Sequence, residues 1–250
     1  MTGLGVAISF LFGLAIGSFL NVVIYRWPRE ISFAKGRSFC PACHHPLAAR
    51  DLVPLVSYLV LRGRCRTCRA RISWRYPLVE LLCGVGLALI FWFYGLSLLF
   101  FQWAMLFLLL VPLFFIDLEH RLLPDILTLP GIALGLAFQI AQGNWWQSLL
   151  GAAIGGVLFL LIFVLWKGGM GAGDIKLALM LGAFLGYPLV FVWFFLAFVI
   201  GALGAIVGMV VFKLKGKSAI PFGPYMALGA LVTAFWGGPL LVFYLRLAGF

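Results

Sequence analysis

Charge is what this chain has least of. Only 10% of its 250 residues are charged, and the acidic ones number seven. With 64% hydrophobic residues and a mean hydropathy of +1.14, a soluble domain of this length is excluded. Histidine is scarcer still, at positions 44, 45 and 120 only. That gives a Ser-His-Asp arrangement little support and leaves no HExxH spacing for a zincin-type site. The first apolar run has no basic stretch before it and no small-residue cleavage site after it, so no cleavable signal peptide is expected. There is no convincing internal repeat and no low-complexity tail.

What the chain has instead is a series of apolar runs, most near the ~20 residues that cross a bilayer. They are continuous, not alternating, which selects helices over a membrane barrel. Eight segments are expected, at about 4–25, 77–94, 96–116, 125–140, 148–166, 177–186, 189–212 and 224–245; the sixth is short for a full span. Between the first and second lies a polar stretch, 26–76, that holds eleven of the 18 lysines and arginines. If that stretch is cytoplasmic and all eight segments cross, the N-terminus is outside. Seventeen of the 18 basic residues then fall inside and only Arg246 outside. Positive residues collect on the cytoplasmic face of membrane proteins, so the net charge of +11 records topology and contact with anionic lipid. Arg62, Arg64, Arg66, Arg69 and Arg71 raise nucleic acid as an alternative, but only Trp74 and Tyr76 are at hand for base stacking. No nucleic-acid partner is expected.

Within the polar stretch, Cys40 and Cys43 form one C-x2-C pair and Cys65 and Cys68 a second, 21 residues further on. Four thiolates so spaced suit one tetrahedral zinc, each pair forming a tight knuckle. A disulfide is the rival, and the expected compartment is reducing. A redox role would need only one pair. His44 and His45 adjoin the first knuckle and are possible substitute ligands. Cys83, alone in the second segment, reads as an apolar filler facing lipid or a helix.

The seven carboxylates can be sorted by place. Glu30, Asp51 and Glu80 have ready roles in ion pairs or caps, and Asp125, after Pro124, is a good N-cap for the fourth segment. Glu119 and His120 have free access to headgroup and water. Asp117 ends the apolar run 113–116, where a carboxylate is costly unless paired. Asp174 follows four glycines in six residues (168, 169, 171 and 173) and opens the next helix. There an aspartate can simply accept hydrogen bonds from the free N–H groups of the first turn. Paired, Asp117 and Asp174 offer more. Two carboxyls sharing one proton can activate water with one member and polarise a carbonyl with the other. Peptide hydrolysis then needs no covalent intermediate. A metal site from Asp117, Glu119 and His120 is the competing constellation.

Gly171-Ala-Gly-Asp-Ile-Lys176 resembles the GxGD motif of intramembrane aspartyl proteases. Asp117, the Pro124-Asp125 step, the four cysteines and Gly17-Ser-Phe-Leu-Asn21 extend the likeness to bacterial type IV prepilin peptidases over nearly the whole chain. The resemblance implies a protease that cuts the basic leader from prepilins and type II secretion pseudopilins, after a glycine at the cytoplasmic face of the inner membrane. It implies Asp117 and Asp174 as the catalytic pair. It also implies N-methylation of the new terminal residue with S-adenosylmethionine, for which no individual contact residue can be assigned. The expected fold is an all-α polytopic membrane protein of eight transmembrane helices with a small cytoplasmic zinc-binding insert. Its expected parts are a first helix (1–25), the insert (26–76) and a seven-helix domain with the protease site (77–250). The rivals are a proton-coupled transporter and a non-catalytic scaffold of a pilus or secretion machine.

Overall fold

The computed structural model describes residues 2–33, 36–166, 170–212 and 221–247. The first part of the glycine-rich loop, 167–169, and the basic run 213–217 lie outside them. Every apolar run is a helix: α1 (Thr2–Arg26), α3 (Arg75–Tyr94), α4 (Leu98–His120), α5 (Asp125–Ala141), α6 (Trp145–Leu165), α7 (Ala172–Leu185), α8 (Leu189–Phe212) and α9 (Gly223–Leu247). A short α2 (Val56–Val60) lies in the polar stretch. Six of the helices are long and apolar enough to cross a bilayer, against eight expected spans. The other two are α5, with 17 residues, and α7, with 14. At 1.5 Å per residue, α7 is about 21 Å long, short of a bilayer core of roughly 30 Å.

Two compact units divide α4 at its proline: Met1–Pro112 and Leu113–Phe250. In the first, α1 and α3 run antiparallel along a seam of small residues. Gly5 faces Phe91, Gly13 faces Cys83, Gly17 faces Glu80, and Asn21 reaches Tyr76. Glycines four apart let two backbones approach closely, which is how helices gain packing where no hydrophobic drive acts between them. Cys83 is fully buried in this seam, a helix-facing filler.

In the second unit α7 is the centre. Leu177, Ala178, Met180, Leu181, Ala183 and Phe184 are all fully buried. Neighbouring helices also reach the carbonyls at its end: Gln139 of α5 donates to Phe184 O at 2.7 Å and Ser148 of α6 to Ala183 O at 2.7 Å. A helix enclosed by protein has its exposed backbone groups met by neighbours, so it need not match the bilayer. Phe159 of α6 stacks on Trp193 of α8 with ring centroids 5.5 Å apart, and the Trp193 indole N–H donates to Met226 O of α9 at 3.0 Å.

Gly182 of α7 lies directly on Gly151 of α6, and a Cβ on it would run into the Gly151 carbonyl. Both neighbours are backbone, so neither can step aside as a side chain does. Gly182→Val is therefore expected to cost about 3 kcal/mol, the upper end for overpacking. The thermal midpoint of the purified protein in detergent checks this; an unchanged midpoint would contradict the close packing of α6 on α7.

Candidate functional site

The four cysteines meet in two loops built to one pattern. In the first, Cys40 N–H donates to His45 O and His44 N–H to Cys40 O; in the second, Cys65 N–H donates to Ala70 O and Arg69 N–H to Cys65 O. Each loop is closed by an isolated bridge, Phe39 with Pro46 and Arg64 with Arg71. His44 and Arg69, the equivalent residues of the two knuckles, both turn the chain with positive φ, 55° and 61°. All four sulfurs lie within 4.8 Å of one another, and Cys40 Sγ and Cys68 Sγ are 3.8 Å apart. A tetrahedron with metal–sulfur bonds of about 2.3 Å has sulfurs roughly 3.8 Å apart, so the donor set fits such an ion. None of the cysteines is in a disulfide. The Cys68 N–H draws the Cys65 thiol down to about 7, against the opposing effect of burial and with help from the Thr67 N–H.

The insert is tied to the helices by buried polar groups. Arg26, at the end of α1, donates to Ser32 O at 2.8 Å and Arg37 O at 2.9 Å, and its guanidinium lies over Phe39 beside the first knuckle. Asp51 pairs with Arg66 at 2.8 Å. Burial works upward on that carboxyl, but the Arg66 guanidinium and the Ala48 N–H outweigh it and hold it below its ordinary value.

In the second unit, two helix ends and a linker come together. Asp117 lies in the last turn of α4, 5% exposed, and its Oδ2 accepts the N–H of Gly223, the first residue of α9, at 2.9 Å. Asp174 lies in the first turn of α7, 8% exposed, and its Oδ2 accepts the Gly171 N–H at 2.9 Å. The two carboxyls are near enough for their charges to repel. Between α4 and α5, the Leu123 side chain fills space that side chains on Gly173 and Gly223 would otherwise occupy. A Cβ on Gly223 would also sit 2.6 Å from Asp117 Oδ2. Glycine is needed there because the carboxyl presses on the backbone.

Two expectations are corrected, and the rival metal constellation does not form among the described residues. The third apolar segment does not stop at 116: α4 continues to His120, which places Asp117 inside the helix. Asp125 is not an N-cap. Pro124 holds that position, and the Asp125 carboxylate instead pairs with Lys176 at 2.6 Å, joining the starts of α5 and α7. Asp117, Glu119 and His120 do not converge on a metal. Asp117 is held by Gly223, while Glu119 and His120 approach each other at 3.9 Å, and the four cysteines are the only metal-type cluster among the described residues. The role of Gly223 went unread, because the Pro221-Phe-Gly-Pro224 step carries no signal that its N–H meets a carboxylate 106 residues away.

Both partners of the Asp125–Lys176 pair are more than a third exposed. Asp125→Asn is thus expected to lower stability by at most ~1 kcal/mol. Substrate turnover should survive. A loss as complete as that expected for Asp117 would contradict this placement.

Comparison with known proteins defines the class first. Residues 11–94 match the Bacterial Peptidase A24 N-terminal domain, and residues 104–206 match the Type IV leader peptidase family. Three relatives are each described as a prepilin leader peptidase/N-methyltransferase. That of Stutzerimonas stutzeri is 38% identical over 96% of this chain and 93% of its own length. That of Pseudomonas aeruginosa is 36% identical over 97% and 94%, and that of Neisseria gonorrhoeae 38% over 91% and 89%. The chain belongs to the type IV prepilin leader peptidase/N-methyltransferase family. No solved structure matches it.

Proposed function

We propose that this enzyme removes the basic leader of type IV prepilins and type II secretion pseudopilins with Asp117 and Asp174, then methylates the new N-terminus using S-adenosylmethionine. The observation that carries the proteolytic half is the buried pair itself. One carboxyl comes from the end of α4 and one from the start of α7, and each has an oxygen fixed by a backbone N–H. Two carboxyls so placed share one proton. The ionised member takes a proton from water, which attacks the scissile carbonyl; the protonated member donates to the carbonyl oxygen and stabilises its developing charge. Membrane family and basic-residue distribution support placing the pair and the insert at the cytoplasmic face of the bacterial inner membrane, with α5 and α7 as two short additional spans.

The four thiols hold one structural zinc, supported by their spacing. The methyl donor is S-adenosylmethionine, supported by the relatives' description as N-methyltransferases. The described residues include no glycine-rich βα turn to cradle it. A proton-coupled transporter is disfavoured because Asp117 and Asp174 sit at helix ends, not mid-membrane. One assay separates the possibilities, including the scaffold. Purified enzyme is incubated with a prepilin and labelled S-adenosylmethionine, and the mature N-terminus is analysed. Cleavage after glycine with label on the new amine is expected. Uncut prepilin counts against the peptidase, and a cut but unlabelled terminus against the methyltransferase.

A further inference from the structure

Proteolysis leaves the polar end of the α1–α3 seam without a use. Asn21, 1% exposed, donates from Nδ2 to Tyr76 O at 3.0 Å and to Gly17 O at 3.3 Å. Both partners are carbonyl oxygens, so the amide nitrogen must face them and the orientation is not interchangeable. Its Oδ1 is then buried with no hydrogen-bond partner. Such orphaned acceptors are rare in folded proteins and call for a donor.

One turn along the seam lies Glu80, 7% exposed, whose carboxylate accepts the Leu55 N–H at 2.8 Å. Among the described residues no lysine or arginine pairs with it. The bond to Leu55 holds a strained turn of the insert. Leu55 has φ 60° and ψ −48°, and the next N–H, Val56, donates back to Pro54 O at 2.6 Å. This is a γ-turn of the rare positive-φ kind. The seam thus carries an orphaned amide oxygen and, one turn away, a carboxylate that no lysine or arginine pairs with among the described residues.

We propose that Asn21 and Glu80 form a recognition site for a primary ammonium group in the methyl-transfer half of the enzyme. The inference rests on the methyltransferase reading above. Two sources share this chemistry: the N-terminus of the processed protein, and the amino group of the methyl donor's amino-acid portion. Asn21 is five residues from the end of α1 and Glu80 five from the start of α3, about 8 Å inside the helix ends.

The test uses the full-length enzyme in detergent and a mature pilin with a free N-terminal phenylalanine, so that methylation needs no prior cleavage. Glu80→Gln keeps the shape and an acceptor for Leu55 while removing the charge; Asn21→Leu removes the orphaned oxygen. Glu80→Gln is expected to lower methylation efficiency at least about tenfold, as loss of a charged hydrogen-bond partner does. Prepilin cleavage and bound metal should be unchanged. Weaker equilibrium binding of labelled S-adenosylmethionine alone assigns the site to the donor's amino group. A raised KM for the mature pilin, with donor binding intact, assigns it to the protein terminus. Wild-type methylation in both variants overturns the proposal. So does a joint fall of methylation, cleavage and bound metal in Glu80→Gln, which would make the seam a structural strut. A wild-type protein that never methylates refutes the underlying reading and the site with it.

Discussion

Asparagine in place of Asp117, or of Asp174, is expected to reduce leader cleavage by about 10,000-fold, the scale seen when one member of a cooperating catalytic set is removed. The substitution is nearly isosteric. An amide oxygen can still accept the Gly223 N–H that holds Asp117, or the Gly171 N–H that holds Asp174. What it cannot do is exchange a proton with water or with the peptide carbonyl. Local structure should therefore persist while the chemistry stops. Uncut prepilin should accumulate in membranes that contain normal amounts of either variant. Gly223→Ala is expected to act in the same direction by a different route, since its Cβ would sit 2.6 Å from Asp117 Oδ2 and push the carboxyl off its donor.

The second large effect concerns the metal. The described residues between α1 and α3 have little secondary structure: a five-residue helix, two three-residue 3-10 turns and isolated bridges at the two knuckles. Among its described residues only Cys40 and Cys65 of the hydrophobic side chains are buried, while others, Leu59 and Trp74 among them, are exposed, so it has little core of its own. A structural zinc contributes roughly 10–16 kcal/mol to small domains of this kind, which are unfolded without it. Purified protein is expected to carry about one zinc per chain. Cys40→Ser and Cys65→Ser should each lose it and open the insert to protease, whereas Cys83→Ser, in the helix seam, should keep it. A Cys40–Cys68 disulfide, found by mass spectrometry of protein prepared without reductant, would contradict the metal assignment.

Apolar continuity made the helices legible, because length and hydropathy alone mark them. The boundaries slipped where polar residues continue a helix. Asp117, Glu119 and His120 read as a loop, yet α4 runs through them, so the hydrophobic run ends a turn before the helix does. The sixth segment was legible as short for a span, but that α7 is enclosed by protein appears only once its neighbours are known. The C-x2-C pairs predicted the knuckles because their hydrogen bonds are local. The scarcity of acid singled out Asp117 and Asp174. Their partners stayed hidden: Gly223, Leu123 and the Lys176 contact of Asp125 depend on which helix starts the fold brings together. Gly17-Ser-Phe-Leu-Asn21 stood out as a motif, but its buried amide and the facing Glu80 appear only when α1 is laid against α3.

The central claim is that Asp117 and Asp174 act as one unit. Single-turnover cleavage of a prepilin by purified wild type, Asp117→Asn, Asp174→Asn and the double variant tests it most directly, with melting temperature and zinc content measured on the same samples. Residues that act together are grossly non-additive. The account predicts that each single variant is nearly inactive and that the double variant is no slower than either. Two results would contradict it: a single variant that cleaves at close to the wild-type rate, or a double variant slower by the product of the two single losses.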